Sequence, residues 1–271
     1  MRFSSPDYRL PQIEALRSDQ ILFSGTTQPM TLEGVDKDSG ERGQFVVKFI
    51  KSPRMSEKSS ARELIASWIA MELELPVVEP VIIHVSEHFV DSMRGKEGFA
   101  VASQSVGQNY GSRYMAGYED ILTGQKFSMQ MESDALKIYG FDLFITNTDR
   151  GHQKNNVITN GEQFLIFDHE LSFSHISILP FLRSSTPWIF NESEKTLYQK
   201  HVFYNYLKGR VQDFTSFASD LQRINDDFWQ KVETLLPTSW TTSEVGEIRE
   251  YLSQIIKHRS DFSDQLTQSL L

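Results

Sequence analysis

Two aspartates, Asp149 and Asp168, stand on either side of a short apolar hairpin, and the pair Asn155-Asn156 lies between them. Phosphoryl transfer from a magnesium nucleotide needs a carboxylate to orient the attacking hydroxyl. It also needs oxygen ligands, typically an Asn and a second Asp, to hold the metal against the phosphates. Asp149, Asn156 and Asp168 offer those groups in that order. The surrounding chain supplies elements to carry them. Phe141, Leu143, Phe144 and Ile145 close an apolar helix, and the polar loop Asn147-Thr148-Asp149-Arg150 follows it. A strand starts at Val157, Asn160-Gly161 makes a turn, and a second strand over 164–167 delivers Asp168-His169-Glu170. Asp-Arg and Asn-Asn are also ordinary loop chemistry, and Asn-Gly turns a hairpin whatever the function. The nucleotide side has to be found elsewhere in the chain.

Lys48 sits inside the apolar strand 44–50 (QFVVKFI), and Glu63 lies near the start of the helix ARELIASWIAMELEL. A strand Lys usually points to solvent, and an acidic residue in a first helical turn is favourable in itself. Paired, however, they are the means by which kinases hold a lysine on the α- and β-phosphates. Gly25, Thr26 and Thr27 form a small-residue turn between strands at 20–24 and 30–35, where backbone N–H groups can approach a phosphate. With one glycine and no GxGxxG, the same residues also serve as a plain hairpin connection. Gln104, leaving a strand expected at 99–103, is placed where an adenine edge would find backbone hydrogen bonds.

The 271 residues suffice for one large core or two lobes, with 39% hydrophobic and 23% charged residues, as in a globular protein. A net charge of -9 argues against nonspecific binding to nucleic acid or an anionic membrane. The absence of cysteine excludes disulfides and thiolate metal sites. The N-terminus lacks a signal-peptide core and no apolar run is long enough to span a bilayer, so the expected compartment is the cytoplasm.

Residues 1–20 read as an N-terminal arm. Strands, one helix with a wide apolar stripe (Leu64, Ile65, Trp68, Ile69, Leu73) and further strands at 81–85 and 99–103 then form a small antiparallel unit. Residues 107–117, rich in Gly and Tyr, read as a flexible connector or an ordered loop near the nucleotide. Helical patterning resumes at 132–145 and dominates 193–207, 213–236 and 243–270. Trp188, Phe190, Phe228 and Trp229 are assigned to the core, and His201, His258 and Arg259 to the solvated surface. The expected class is α+β and bilobal, with residues 1–105 as a nucleotide-binding lobe and 106–271 as a mostly helical catalytic lobe.

With Lys48, Glu63, Asp149, Asn156 and Asp168 in view, the chain resembles the HipA-like kinases in their compact form over about residues 20–175, including QFVVKF, the segment around GQNYGSRY, FITNTDR and FLIFDHELSF. The NxDR loop, the Asn before an apolar strand and the Asp-His pair are also similar to phosphoinositide-type kinases. The resemblance implies a bilobal kinase fold, ATP with Mg²⁺, and transfer of the γ-phosphoryl group to Ser or Thr of a protein. By it, Asp149 is the catalytic aspartate, Asp168 the metal aspartate, Lys48 the phosphate lysine and Glu63 its partner. The family often places its metal Asn five residues after the catalytic Asp, where this chain has Lys154; Asn156, directly before the strand, takes the role instead. Also implied are a bacterial toxin–antitoxin setting, a translation component as substrate, and an antitoxin partner, while the acidic chain itself is not expected to bind nucleic acid directly or a membrane. A pseudokinase acting as a binding module, and a kinase for a lipid or other small molecule, are the alternatives.

Overall fold

Alternation of apolar residues makes the first sheet. Ile13 and Ala15, Met30 and Leu32, Phe45 and Val47, and Val81, Ile83 and Val85 are all buried in one cluster. They come from β1 (Gln12–Ile21), β2 (Met30–Asp36), β3 (Arg42–Lys48) and β4 (Pro80–Val85). With β5 (Gly107–Arg113) these strands close a barrel in the order β1-β2-β3-β5-β4. The pairings are antiparallel except β1 with β4, which is parallel. The computed structural model describes residues 1–22, 27–122, 124–151, 154–179, 181, 183–210 and 212–271.

The N-terminal residues are no arm: β1 starts at Gln12, and Phe3 is fully buried against Tyr8, Trp68 and Phe228. Residues expected as a strand at 99–103 form a helix, one of three in this part of the chain: α1 (Glu57–Glu72), α2 (Glu87–Ser92) and α3 (Phe99–Gln104). Over six residues FAVASQ satisfies either period, and the left-handed Gly98 (φ 82°) starts a helix that packs Phe99, Val101 and Ala102 against the barrel interior. The segment 107–117 is neither connector nor loop throughout: its first seven residues are β5, which closes the barrel. A division at 105/106 therefore separates β5 from its strand partners.

In β5 the glycine at 111 is a packing requirement. A Cβ there would lie 2.4 Å from Ile83 Cγ1 and 2.8 Å from the Val46 carbonyl oxygen. Helix α1 is capped by Ser56, whose side chain accepts from Ser59 N–H while Ser59 reaches back to the Ser56 N–H. Leu64, Ile65, Trp68 and Ile69 are fully buried in a second, larger core.

That core continues through α4 (Met129–Phe144), β7 (Val157–Thr159) and β8 (Phe164–Ile166), which pair with β6 (Glu119–Asp120) in a three-stranded sheet. The expected turn between the last two is present: Asn160 Oδ1 accepts from Glu162 and Gln163 N–H, and Gly161 has φ 92°. Helices follow to the end: α5 (Glu192–Tyr198), α6 (Tyr204–Leu207), α7 (Thr215–Asp220), α8 (Asp226–Leu235), α9 (Ser243–Lys257) and α10 (Arg259–Ser269). Phe190, Phe228 and Trp229 are core residues, whereas Trp188 is half-buried and stacks on His258 at 3.6 Å. No helix among the described residues is long and apolar enough to cross a membrane.

Candidate active site

On β3, Phe45 and Val47 face the barrel interior, so the strand's alternation turns Val46 and Lys48 outward, onto a cavity of about 320 Å³. Helix α1 presents Glu63 to the same place, and Lys48 Nζ lies 2.6 Å from Glu63 Oε2. After α1 the chain runs beside β8: Val78 N–H donates to the Ile166 carbonyl and Ile166 N–H to the Pro76 carbonyl. This contact brings the end of β8, and with it Asp168, under α1. Lys48 Nζ is 2.7 Å from Asp168 Oδ1 and 3.7 Å from Glu170 Oε2, and His169 N–H donates to Glu63 Oε1 at 2.9 Å.

Asp149 does not line the cavity directly; it reaches it through two neighbours that do. Lys154 Nζ lies 3.1 Å from Asp149 Oδ2 and 2.7 Å from Asp168 Oδ2, and Asn156 Nδ2 donates to Asp149 Oδ2 at 3.3 Å. Asn156 and Asp168 both hold left-handed backbone conformations (φ 48° and 57°), unusual for residues with side chains. Such strain persists only where the surroundings impose it.

Arg150 imposes it. Its side chain is wholly buried, with Nε 2.5 Å and Nη2 3.3 Å from the two Asp142 carboxylate oxygens. Nη1 donates to the carbonyl oxygens of Asn156 and Phe167, and Nη2 to His169 Nδ1. One guanidinium thus ties the loop carrying Asp149 to the segment carrying Asp168. Asp142 also accepts from Asn147 Nδ2 (2.8 Å) and lies 3.0 Å from His201 Nε2. His201 is therefore buried and bonded, not solvated as its sequence context suggested.

The charges follow from burial and partners. Burial acts to lower the Lys48 pKa, but the carboxylates of Asp168, Glu63 and Glu170 outweigh it and hold the ammonium charged. Burial pushes Glu63 up to about 7 against the pull of Lys48. Burial likewise acts to raise Asp168, yet Lys48 and Lys154 hold it well below the usual carboxylate range. Burial and the Arg150 charge lower His169 to about 3, so its ring is neutral; because Nδ1 accepts from Arg150, the ring proton sits on Nε2.

The residues present fit a divalent metal. Glu63, Asp168 and Glu170 each bring a carboxylate oxygen within 4.8 Å of the others. Both Glu170 carboxylate oxygens are buried with no hydrogen-bond partner among the described residues. Glu63 is taken up by Lys48 at 2.6 Å, which leaves Asp168 and Glu170, with the amide oxygen of Asn156, as the oxygen donors for a metal, a set that suits magnesium.

Among the residues singled out from sequence, Lys48, Glu63, Asp149, Asn156 and Asp168 come together here. Gln104 does not: it ends α3, exposed, and takes no part in the cavity wall. The strand end that does reach the cavity is that of β5, through Ser112 and the following Tyr114 and Met115. Thr27 is buried and does not line the cavity, while Gly25 and Thr26 lie outside the described residues.

A model of the HipA-like kinases matches residues 24–264. The chain belongs to the HipA-like kinase family. Among solved structures, this HipA-like kinase is similar to the Helicobacter pylori proinflammatory kinase CtkA, with a TM-score of 0.51 and 13% identity over 96% of this chain and 98% of that one. At that identity the likeness is one of fold. No curated protein matches the sequence. Membership of the HipA-like kinases implies a nucleotide and a divalent metal at the site. Three features have no role in the sequence pattern: Lys154 on the cavity wall, Glu170 beside Lys48, and the buried Asp142–Arg150–His201 cluster behind them. The Arg after the first Asp and the Glu two residues after the second were visible signals, but their partners were not.

Proposed function

We propose that the protein is an ATP-dependent serine/threonine protein kinase that moves the γ-phosphoryl group to a protein hydroxyl. The observation that supports this best is the meeting of Lys48, Glu63, Asp149, Asn156 and Asp168 around one cavity, across 120 residues of sequence between Lys48 and Asp168. In this reading the barrel with α1–α3 and the helical remainder are the two lobes of a kinase. Lys48, kept charged and positioned by Glu63, binds the nucleotide phosphates. Asp149, held by Asn156, orients the incoming hydroxyl and accepts its proton. Asp168, Asn156 and Glu170 would hold the divalent metal, which when bound neutralises phosphate charge. The family membership also supports a bacterial, cytoplasmic toxin–antitoxin role, with a translation component as substrate and an antitoxin as partner.

The test is phosphate incorporation from labelled Mg-ATP into the protein itself and into a cell lysate, for wild type, Asp149→Ala and Asp168→Ala. Incorporation by wild type falling at least about a hundredfold in both variants is expected. Equal incorporation by all three proteins would sink the reading. The engagement of Asp168 by two lysines favours a second reading, a nucleotide-binding pseudokinase that serves as a protein-binding module or antitoxin. It predicts nucleotide binding by wild type without incorporation.

A further inference from the structure

Both oxygens of Asp168 are engaged by ammonium groups, and the two lysines differ. Lys48 reaches Oδ1 from a barrel strand, is buried, and is tethered to Glu63 at 2.6 Å. Lys154 reaches Oδ2 at 2.7 Å from the loop after Arg150, with 33% of its side chain exposed. The same ammonium is 3.1 Å from Asp149 Oδ2. It therefore stands between the carboxylate that orients a hydroxyl and the carboxylate that faces a metal, on the wall of the cavity.

A divalent ion on Asp168 Oδ2 would stand within a few ångströms of that ammonium, and like charges so close in a half-buried site repel strongly. One of the two has to move. Lys48 is held on three sides by Glu63, Asp168 and Glu170. Lys154 is held by two, Asp149 and Asp168, and a third of its side chain is exposed, so it is the group able to leave. In a cavity filled by a nucleotide, the new anion within its reach is a phosphate.

We propose that Lys154 is a mobile phosphate-binding cation: without nucleotide its ammonium caps Asp168 Oδ2, an oxygen a divalent metal would use, and on nucleotide binding it moves onto the terminal phosphate. The proposal rests on the kinase reading above. It makes the divalent metal a weak ligand of the nucleotide-free protein, and it makes the third phosphate, not the first two, the anion that Lys154 recognises.

The test uses the full chain as wild type, Lys154→Gln and Lys154→Arg. Manganese is titrated into nucleotide-free protein and followed by electron paramagnetic resonance. Calorimetry then compares ADP with the β,γ-imido analogue of ATP. Lys154→Gln is expected to bind manganese about tenfold or more tightly than wild type and to lose about tenfold of the preference for the triphosphate. Lys154→Arg, which keeps the charge, is expected to follow wild type in both. If Lys154→Gln leaves either quantity unchanged while wild type binds nucleotide, the proposal is wrong and the kinase reading stands. If wild type binds neither nucleotide at any manganese concentration, the kinase reading fails and the proposal with it.

Discussion

Asp142 is the residue whose charge the site depends on most without facing the cavity. Burial acts to raise its pKa, but Arg150 and His201 overcome that and bring it from 3.8 down to about 2. A carboxylate with a depressed folded pKa contributes stability that is fully present above its unfolded value and is lost as pH falls through the folded one. For Asp142 that window runs from 3.8 to about 2, and the contribution is about 2 kcal/mol. His169, lowered from 6.5 to about 3, acts in the same direction, since the folded state resists a proton that the unfolded chain accepts below pH 6.5. Glu63 opposes both: raised from 4.5 to about 7, it favours folding at the lower end of that interval. Urea unfolding of Asp142→Asn at pH 7 is expected to show a loss of about 3–5 kcal/mol, because Arg150 is left buried without its counter-charge. Below pH 3.8 the variant should also lose stability less steeply than wild type, with His169 and Asp168 still contributing a decline in both; matching slopes in that range would contradict the assignment.

At the scale of elements, β3, β5 and α1 contribute to the cavity wall, and Gly111 of β5 sits where β3 and β4 leave no room for a side chain. Tyr110 and Ser112 on either side of it line the cavity. In Gly111→Ala the new methyl would meet Ile83 Cγ1 at 2.4 Å and the Val46 carbonyl at 2.8 Å. The Ile83 side chain can shift, but the Val46 carbonyl belongs to the barrel wall. A cost of about 1–3 kcal/mol is expected, together with weaker nucleotide binding as Tyr110 and Ser112 are displaced. Chemical denaturation and nucleotide calorimetry on the same variant check both, and wild-type stability would show that the barrel yields more than its packing suggests.

For the molecule as a whole, the N-terminal residues join parts of the chain that are remote in sequence. Phe3 lies 4.8 Å from the Trp68 ring in α1 and 5.0 Å from Phe228 in α8. Ser4 N–H donates to Glu72 at the end of α1, and Trp68 Nε1 donates to the Tyr8 hydroxyl. Lys58 and Arg62 of α1 also face Glu244 of α9, but that pair with Lys58 is partly exposed and contributes little. Phe3→Ala should therefore cost about 3–5 kcal/mol in a denaturation experiment, as expected for emptying a buried aromatic position. A loss below about 1 kcal/mol would mean that α1 is anchored without the N-terminal segment.

By itself the sequence determined the local features: the apolar alternation of β2 to β4, the striped helix α1, the Asn160-Gly161 hairpin, and the order of Lys48, Glu63, Asp149, Asn156 and Asp168 along the chain. These depend on periodicity and turn chemistry, which act over a few residues. The tertiary structure decided what depends on partners far away. It made 99–104 a helix and 107–113 a barrel strand, since short mixed segments take the form that buries them best. It brought Lys48 to Asp168 across 120 residues and buried His201 on Asp142. It also placed Lys154 between two carboxylates, because an ammonium goes where opposite charge is desolvated, and no spacing in the chain records where that will be.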